Sequence, residues 1–256
     1  MNKTIISIGL SVVLIALGGC SSLQSGSKGD LTGQAWVLTE LTGKTLVAGT
    51  SITALFSADG KMGGSSGCNR YGGTYTVTGN TIQITSPLAS TMMACEQEIM
   101  DQESAYLKAL GEAKSFSVTG DQLTLKDGNS TLLVYKAQSQ DLSGTSWEVI
   151  AYNNGKQAVI SVLAGTTLTA EFGSDGTLSG NSGCNTYNGS YKVDGKQITI
   201  GPLASTRMAC GEPEGVMEQE AQYLAALQTA VTYQIEGNGL ELRTKDGALA
   251  VQLTKK

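Results

Sequence analysis

The chain contains five cysteines and no histidine. The missing imidazole removes Ser-His-Asp and Cys-His nucleophile–base pairs, His-containing zinc sites and the commonest general acid–base group together. Four cysteines fall into two spaced pairs, Cys68 with Cys95 and Cys184 with Cys210, and neither spacing is the Cys-x-x-Cys of a redox or zinc site. Such thiols can staple a fold or do chemistry, and the compartment decides which. Among the carboxylates, Glu103 and Glu220 each follow a glutamine, but they lie in separate halves of the chain and cannot form a catalytic pair. A Gln-Glu step on an amphipathic helix reads as its solvated face. Asp59-Gly60 and Asp175-Gly176 lack the ligand series of a calcium loop and read as hairpin turns. With no P-loop, dinucleotide fingerprint or metal cage, the expectation is a non-enzymatic protein with no cofactor and no metal.

The first residues carry an address. Lys3 precedes an apolar run from Ile5 to Leu17, and Gly18-Gly19 lead into Cys20. A run of about 13 residues is too short for a hydrocarbon core that needs about 20, so residues 1–19 are expected to be a cleaved signal peptide. Leu17-Gly18-Gly19-Cys20 resembles the bacterial lipobox. That resemblance implies cleavage before Cys20 and acylation of this cysteine, with each buried methylene contributing about 0.8 kcal/mol to a stable anchor. Residues 20–30, the lipid-bearing cysteine and a Ser/Gly stretch, form the expected flexible tether. Ser21 rather than Asp after the cysteine implies, by the sorting rule of Gram-negative lipoproteins, the outer membrane with the body facing the periplasm. In a Gram-positive host the same anchor implies the outer face of the plasma membrane.

A composition of 40% hydrophobic and 15% charged residues is too apolar for a disordered chain and too polar for a multi-span membrane protein. Removing residues 1–19 takes away Lys3 and leaves 16 basic against 22 acidic side chains. That balance, without any Lys/Arg cluster, excludes nucleic acid as an expected partner.

The elements that must position these residues come twice, at an offset of 111 to 117 residues. Leu31-Thr32-Gly33-Gln34-Ala35-Trp36 returns as Leu142-Ser143-Gly144-Thr145-Ser146-Trp147, and Ser66-Gly67-Cys68-Asn69-Arg70-Tyr71 as Ser182-Gly183-Cys184-Asn185-Thr186-Tyr187. Pro87 to Cys95 matches Pro202 to Cys210, and Met100-Asp101-Gln102-Glu103 matches Met217-Glu218-Gln219-Glu220. The expected organisation is a domain over 31–136, a connection over 137–141 and a second domain over 142–256.

Within each copy, alternation such as Thr74 to Val77 followed by a Gly turn and Ile82-Gln83-Ile84 predicts hairpins with one buried face. One helix per copy is predicted, over 97–110 and 215–227, with Met217, Ala221, Leu224 and Gln228 on its apolar side. The expected fold is mainly β (α+β): two tandem small antiparallel sheets or barrels, each with one packed helix. An envelope address is oxidising, so the matched cysteines are expected to pair within copies, Cys68–Cys95 and Cys184–Cys210. Any other connectivity would require equivalent positions to behave differently.

The Gly-Cys-Asn-x-Tyr segment, the Pro-Leu-Ala-Ser-Thr-x-Met-Ala-Cys segment and the Met-x-Gln-Glu-x-x-Tyr-Leu-x-Ala-Leu helix resemble the META domain of HslJ-type heat-shock lipoproteins, in both copies. The resemblance implies compact β domains with a helix, in bacterial envelope proteins linked to heat shock and antibiotic tolerance, and sometimes to motility or secretion. It implies no established enzymatic activity. It also implies a second reading, through a proposed likeness to lipid-binding pilotins that escort secretin subunits: a lipid-binding chaperone. The expected partners are thus the membrane through the Cys20 anchor, and an envelope protein or lipid ligand.

Two segments are candidates for binding. Asn69-Arg70-Tyr71, with Asn185 and Tyr187 in the second copy, can form a ligand-facing loop; the alternative is a turn in which the asparagines bond local backbone. Met93 and Met208 can line an adaptable apolar groove, though core packing is the more usual fate of methionine.

Overall fold

The computed structural model describes residues 30–256. The proposed signal peptide, Cys20 and most of the tether lie outside the described residues. Strands β1 (Ala35–Leu41), β2 (Thr53–Phe56), β3 (Lys61–Ser65), β4 (Arg70–Thr78), β5 (Thr81–Ile84) and β6 (Ala89–Ser90) precede helix α1 (Gln97–Gly111), and β7 (Ser115–Thr119), β8 (Gln122–Asp127) and β9 (Ser130–Ala137) follow it. The second copy repeats the order with β10 (Thr145–Asn153), β11 (Val159–Ser161), β12 (Thr169–Phe172), β13 (Thr177–Asn181), β14 (Thr186–Asp194), β15 (Gln197–Ile200), β16 (Ala204–Ser205), α2 (Val216–Gln228), β17 (Thr232–Glu236), β18 (Gly239–Arg243) and β19 (Leu249–Lys255).

Each sheet closes on itself. In the first copy the order β3-β2-β1-β9-β8-β7-β5-β4 is completed by β3–β4 pairing, and β6 adds to β4. In the second, β10-β12-β13-β14-β15-β17-β18-β19 is completed by β10–β19 pairing, with β11 and β16 outside the ring. Bulges recur at matched places, between Leu38 and Glu40 in β1 and between Val149 and Ala151 in β10, where an extra residue bends the strand enough for closure. The seam is β5–β7 and β15–β17, which share one register pair each, Thr81 with Ser115 and Gln197 with Thr232.

Strand alternation places one side chain in two inside the ring. Ile82 and Ile84 turn inward from β5, while Val77 on the paired strand is exposed. Trp36 and Trp147, the equivalent openings of the two copies, are fully buried, each in its own core. Indole N–H groups need a partner when buried, and here they donate to the Leu31 carbonyl and the Thr145 hydroxyl. Each copy therefore has a separate packed centre.

The helices fall within a residue of the predicted spans, but the face differs. In α2 the buried side chains are Val216, Gln219, Glu220, Tyr223, Ala226 and Leu227, whereas Met217, Ala221 and Gln228 are exposed. In α1 they are Gln102, Glu103, Tyr106 and Leu110. The Gln-Glu step is interior, for reasons given below.

Barrel closure also brings β2 onto β3 so closely that a side chain at Gly64 would collide with the Thr53 carbonyl, and one at Gly180 with the Thr169 carbonyl. Gly64→Ala is therefore expected to destabilise the first barrel by about 3 kcal/mol, the upper range of overpacking. Gly111→Ala, whose added carbon would meet nothing nearer than 3.4 Å, should be neutral or stabilising. Calorimetric unfolding of the two variants beside the parent checks the contrast.

Candidate functional site

The repeated motifs converge on one place in each domain. Ser66 to Asn69 forms a tight turn closed by the Ser66 amide donating to the Asn69 carbonyl at 2.7 Å, with Gly67 at φ +111°, a conformation that L side chains rarely adopt. The turn wraps the Glu103 carboxylate of α1. Glu103 accepts from the Ser66 hydroxyl at 2.6 Å, the Asn69 amide at 2.8 Å and the Asn69 side-chain nitrogen at 2.9 Å. Asn69 in turn accepts at Oδ1 from Thr91 Oγ1 (2.8 Å) and the Met93 amide (2.7 Å), so the segment before Cys95 is held to the same turn. The Cys68–Cys95 disulfide lies beside these bonds.

The second copy reproduces this. Glu220 accepts from Ser182 Oγ (2.7 Å) and from Asn185 through its amide (2.9 Å) and side chain (3.1 Å). Asn185 Oδ1 accepts from Thr206 and Met208, and Cys184 is bonded to Cys210. Both expected pairings are thus present. Gln102, next to Glu103, accepts from the Val47 amide and donates to Thr50 Oγ1, and Gln219 does the same with Leu163 and Thr166. The reading of Gln-Glu as a solvated face is corrected: each glutamine pins the loop that leads into β2 or β12, and each glutamate pins the cysteine turn. Identity between the copies signals this. Gln, Glu, Tyr and Leu are unchanged, while outward positions drift from Asp101 to Glu218, Ser104 to Ala221 and Lys108 to Ala225.

Behind the turn, Tyr71 and Tyr106 share a hydroxyl–hydroxyl hydrogen bond of 2.7 Å with both oxygens within reach of the Thr53 carbonyl, Tyr71 at 2.9 Å and Tyr106 at 3.3 Å; Tyr187 and Tyr223 repeat the arrangement at Thr169. Burial pushes the Tyr71, Tyr106, Tyr187 and Tyr223 hydroxyls far above the ordinary phenol range. They act here as protonated hydrogen-bonding groups. Burial also pushes the Glu103 carboxyl upward, but the donors from Ser66 and Asn69 and the Cys68 amide outweigh it and hold Glu103 below the usual carboxylate range.

The candidate binding loop is therefore divided by the fold. Asn69, Tyr71, Asn185 and Tyr187 are buried inside their domains, the asparagines and tyrosines taken up by the bonds above. Arg70 stays largely exposed. The usual core fate of methionine does not apply: Met93 and Met208 are exposed, and Met92 beside Met93 almost completely so, because the disulfide and the asparagine hold their backbone at the surface.

Arg70 explains a difference between the copies. Its guanidinium bonds Glu236 across the domain boundary at 3.0 Å, and Glu236 also accepts from Thr53 Oγ1 at 2.7 Å. The position equivalent to Arg70 is Thr186, and the position equivalent to Glu236 is Thr119: cation and anion are replaced together. The connection after β9 tightens the joint. Gln140 accepts from the Ile235 amide and donates to the Ile235 carbonyl, both at 2.8 Å, while Gln138 accepts from the Gly237 amide at 2.9 Å. These groups lie on the edge of β17 that short β15 leaves unpaired.

The profile of the META domain family matches residues 29–139 and again 140–256. The chain belongs to the META domain family. Its two META domains carry the same turn, helix and disulfide. Among solved structures it is similar to a protein from Burkholderia xenovorans determined by NMR, at 30% identity over 45% of this chain and 83% of that one, with a TM-score of 0.38. It is also similar to a DUF4847 family protein from Bacteroides vulgatus, at 18% identity over 44% of this chain and 93% of that one, with a TM-score of 0.33. No curated protein matches.

Because the folded-state pKa of Glu103 is depressed, its contribution to stability is complete above the unfolded-state value and is lost as pH falls through the folded-state value. Glu103→Gln replaces a charged acceptor with a group whose amide faces donors, and is expected to cost about 3 kcal/mol near neutral pH. Unfolding measured between neutral and acidic pH should show the gap between variant and parent narrowing toward acid.

Proposed function

We propose that this protein is a non-enzymatic lipoprotein of the bacterial envelope, anchored through Cys20, whose two META domains form a binding or stabilising module under envelope stress. The observation that carries this reading is the internal use of the shared motif. Serine, asparagine, glutamate and tyrosine, the side chains otherwise available for catalysis, bond to one another and to backbone in both domains. A motif used this way builds a scaffold and leaves recognition to surface residues that differ between the copies.

Further support comes from the disulfides, which suit an oxidising compartment, and from the lipobox-like Leu17-Gly18-Gly19-Cys20. Among the described residues no helix is long and apolar enough to cross a membrane, consistent with attachment through the terminal cysteine. The lipid-carrier alternative would need an acyl site outside the barrel cores, where Trp36, Tyr106 and Leu110, and Trp147, Tyr223 and Leu227, fill the space beneath the helices.

Cells supplied with an alkyne-bearing palmitate analogue test the anchor. The parent should be labelled and recovered with membranes, while Cys20→Ala should be unlabelled. An unlabelled parent would overturn the lipoprotein reading.

A further inference from the structure

The joint between the domains encloses a groove of about 470 Å³, within the roughly 300–1,000 Å³ of small-molecule sites, which occur preferentially at domain interfaces. One wall comes from β3 and β4 of the first barrel, the other from β17, β18 and β19 of the second. Its lining is where the copies differ. Lys61 and Arg70 stand where the second barrel has Thr177 and Thr186. Across the groove, Gln234, Glu236, Glu241 and Gln252 stand where the first barrel has Ser117, Thr119, Thr124 and Val134. At these six positions the groove side carries the longer polar group and the equivalent place elsewhere a shorter or apolar one, while Gly63 and Gly72 of the lining stand where the second barrel has Ser179 and Asn188.

The charges define the ligand. Each cation of the lining already has a carboxylate: Lys61 with Asp59 at 2.9 Å, Arg70 with Glu236 at 3.0 Å and Arg243 with Glu241 at 2.6 Å. A phosphate or polyanion would have to compete with those partners. What the groove offers is donors beside acceptors: paired guanidinium and carboxylate groups, and the amides of Gln234 and Gln252, whose side chains make no hydrogen bond to the described residues. A hydroxyl both donates and accepts, so this lining matches a polyhydroxylated chain. Gly63 and Gly72 give the floor stretches without side chains against which a sugar ring can lie.

We propose that the groove binds a saccharide chain, with Gln234 and Gln252 bonding ring hydroxyls and the Arg70–Glu236 and Arg243–Glu241 pairs flanking them. This deepens the binding role proposed above but fails separately from the anchor, because labelling at Cys20 is read independently of any ligand.

The full chain as isolated is titrated calorimetrically with the β-1,4-linked tetramer of N-acetylglucosamine, the β-1,4-linked tetramer of glucose and inorganic phosphate, with hydrogen exchange locating any protection. At least one saccharide should bind and protect segments 61–72 and 234–243. The triple variant Lys61→Thr, Gln234→Ser, Gln252→Val installs the residues that the sister domain carries at these positions. It should keep the parent's unfolding temperature and lose affinity at least tenfold. Binding of phosphate alone, protection elsewhere, undiminished binding by the triple variant or no response to either saccharide would overturn the assignment.

Discussion

A buried carboxylate governs each domain. Removing a charge from water costs several kcal/mol even after relaxation, so Glu103 and Glu220 can sit inside only where donors meet them from more than one direction. Those donors come from a turn that glycine bends and a disulfide closes, and the asparagine that donates to the carboxylate also holds the segment running up to the second cysteine. The neighbouring glutamine extends the same logic to the loop after the first strand. Two adjacent side chains on one helix therefore orient three segments that have little regular structure of their own. Among the described residues no buried side-chain nitrogen or oxygen lacks a partner.

Much of this fold was legible because it rests on period and punctuation. Alternation in β4 and β5, the Gly turns and the matched tryptophans led to paired strands with one buried face, and the duplication led to two domains with a disulfide in each. The polar interior was not legible by the same means. Hydrophobic patterning assigns Gln and Glu to water, and only the partners of Glu103, distant in sequence, reverse that. Met93 misleads in the opposite sense, an apolar side chain at the surface because its backbone amide is needed by Asn69. Arg70 illustrates a third case: its partner lies 166 residues away in the other domain, beyond any local pattern.

The two copies show how a duplicated domain divides its residues. The serine, asparagine, glutamine and glutamate groups and the tyrosine pair that satisfy one another stay the same, since changing one would strand its partner in a low-dielectric environment, whereas Tyr135, which adds a bond to Tyr106, is matched by Leu253. Groups along the joint differ in matched sets, such as Arg70 with Glu236 against Thr186 with Thr119. Those differences give the tandem protein a polar seam that neither domain has alone.

The glutamines of the connection have a mechanical consequence. Gln140 meets the Ile235 amide and carbonyl much as a neighbouring strand would, and Gln138 adds a third bond at Gly237. The connection is therefore laid along the second barrel as an added edge, bonded to it over Ile235 to Gly237, and does not hang between the two domains as a free tether.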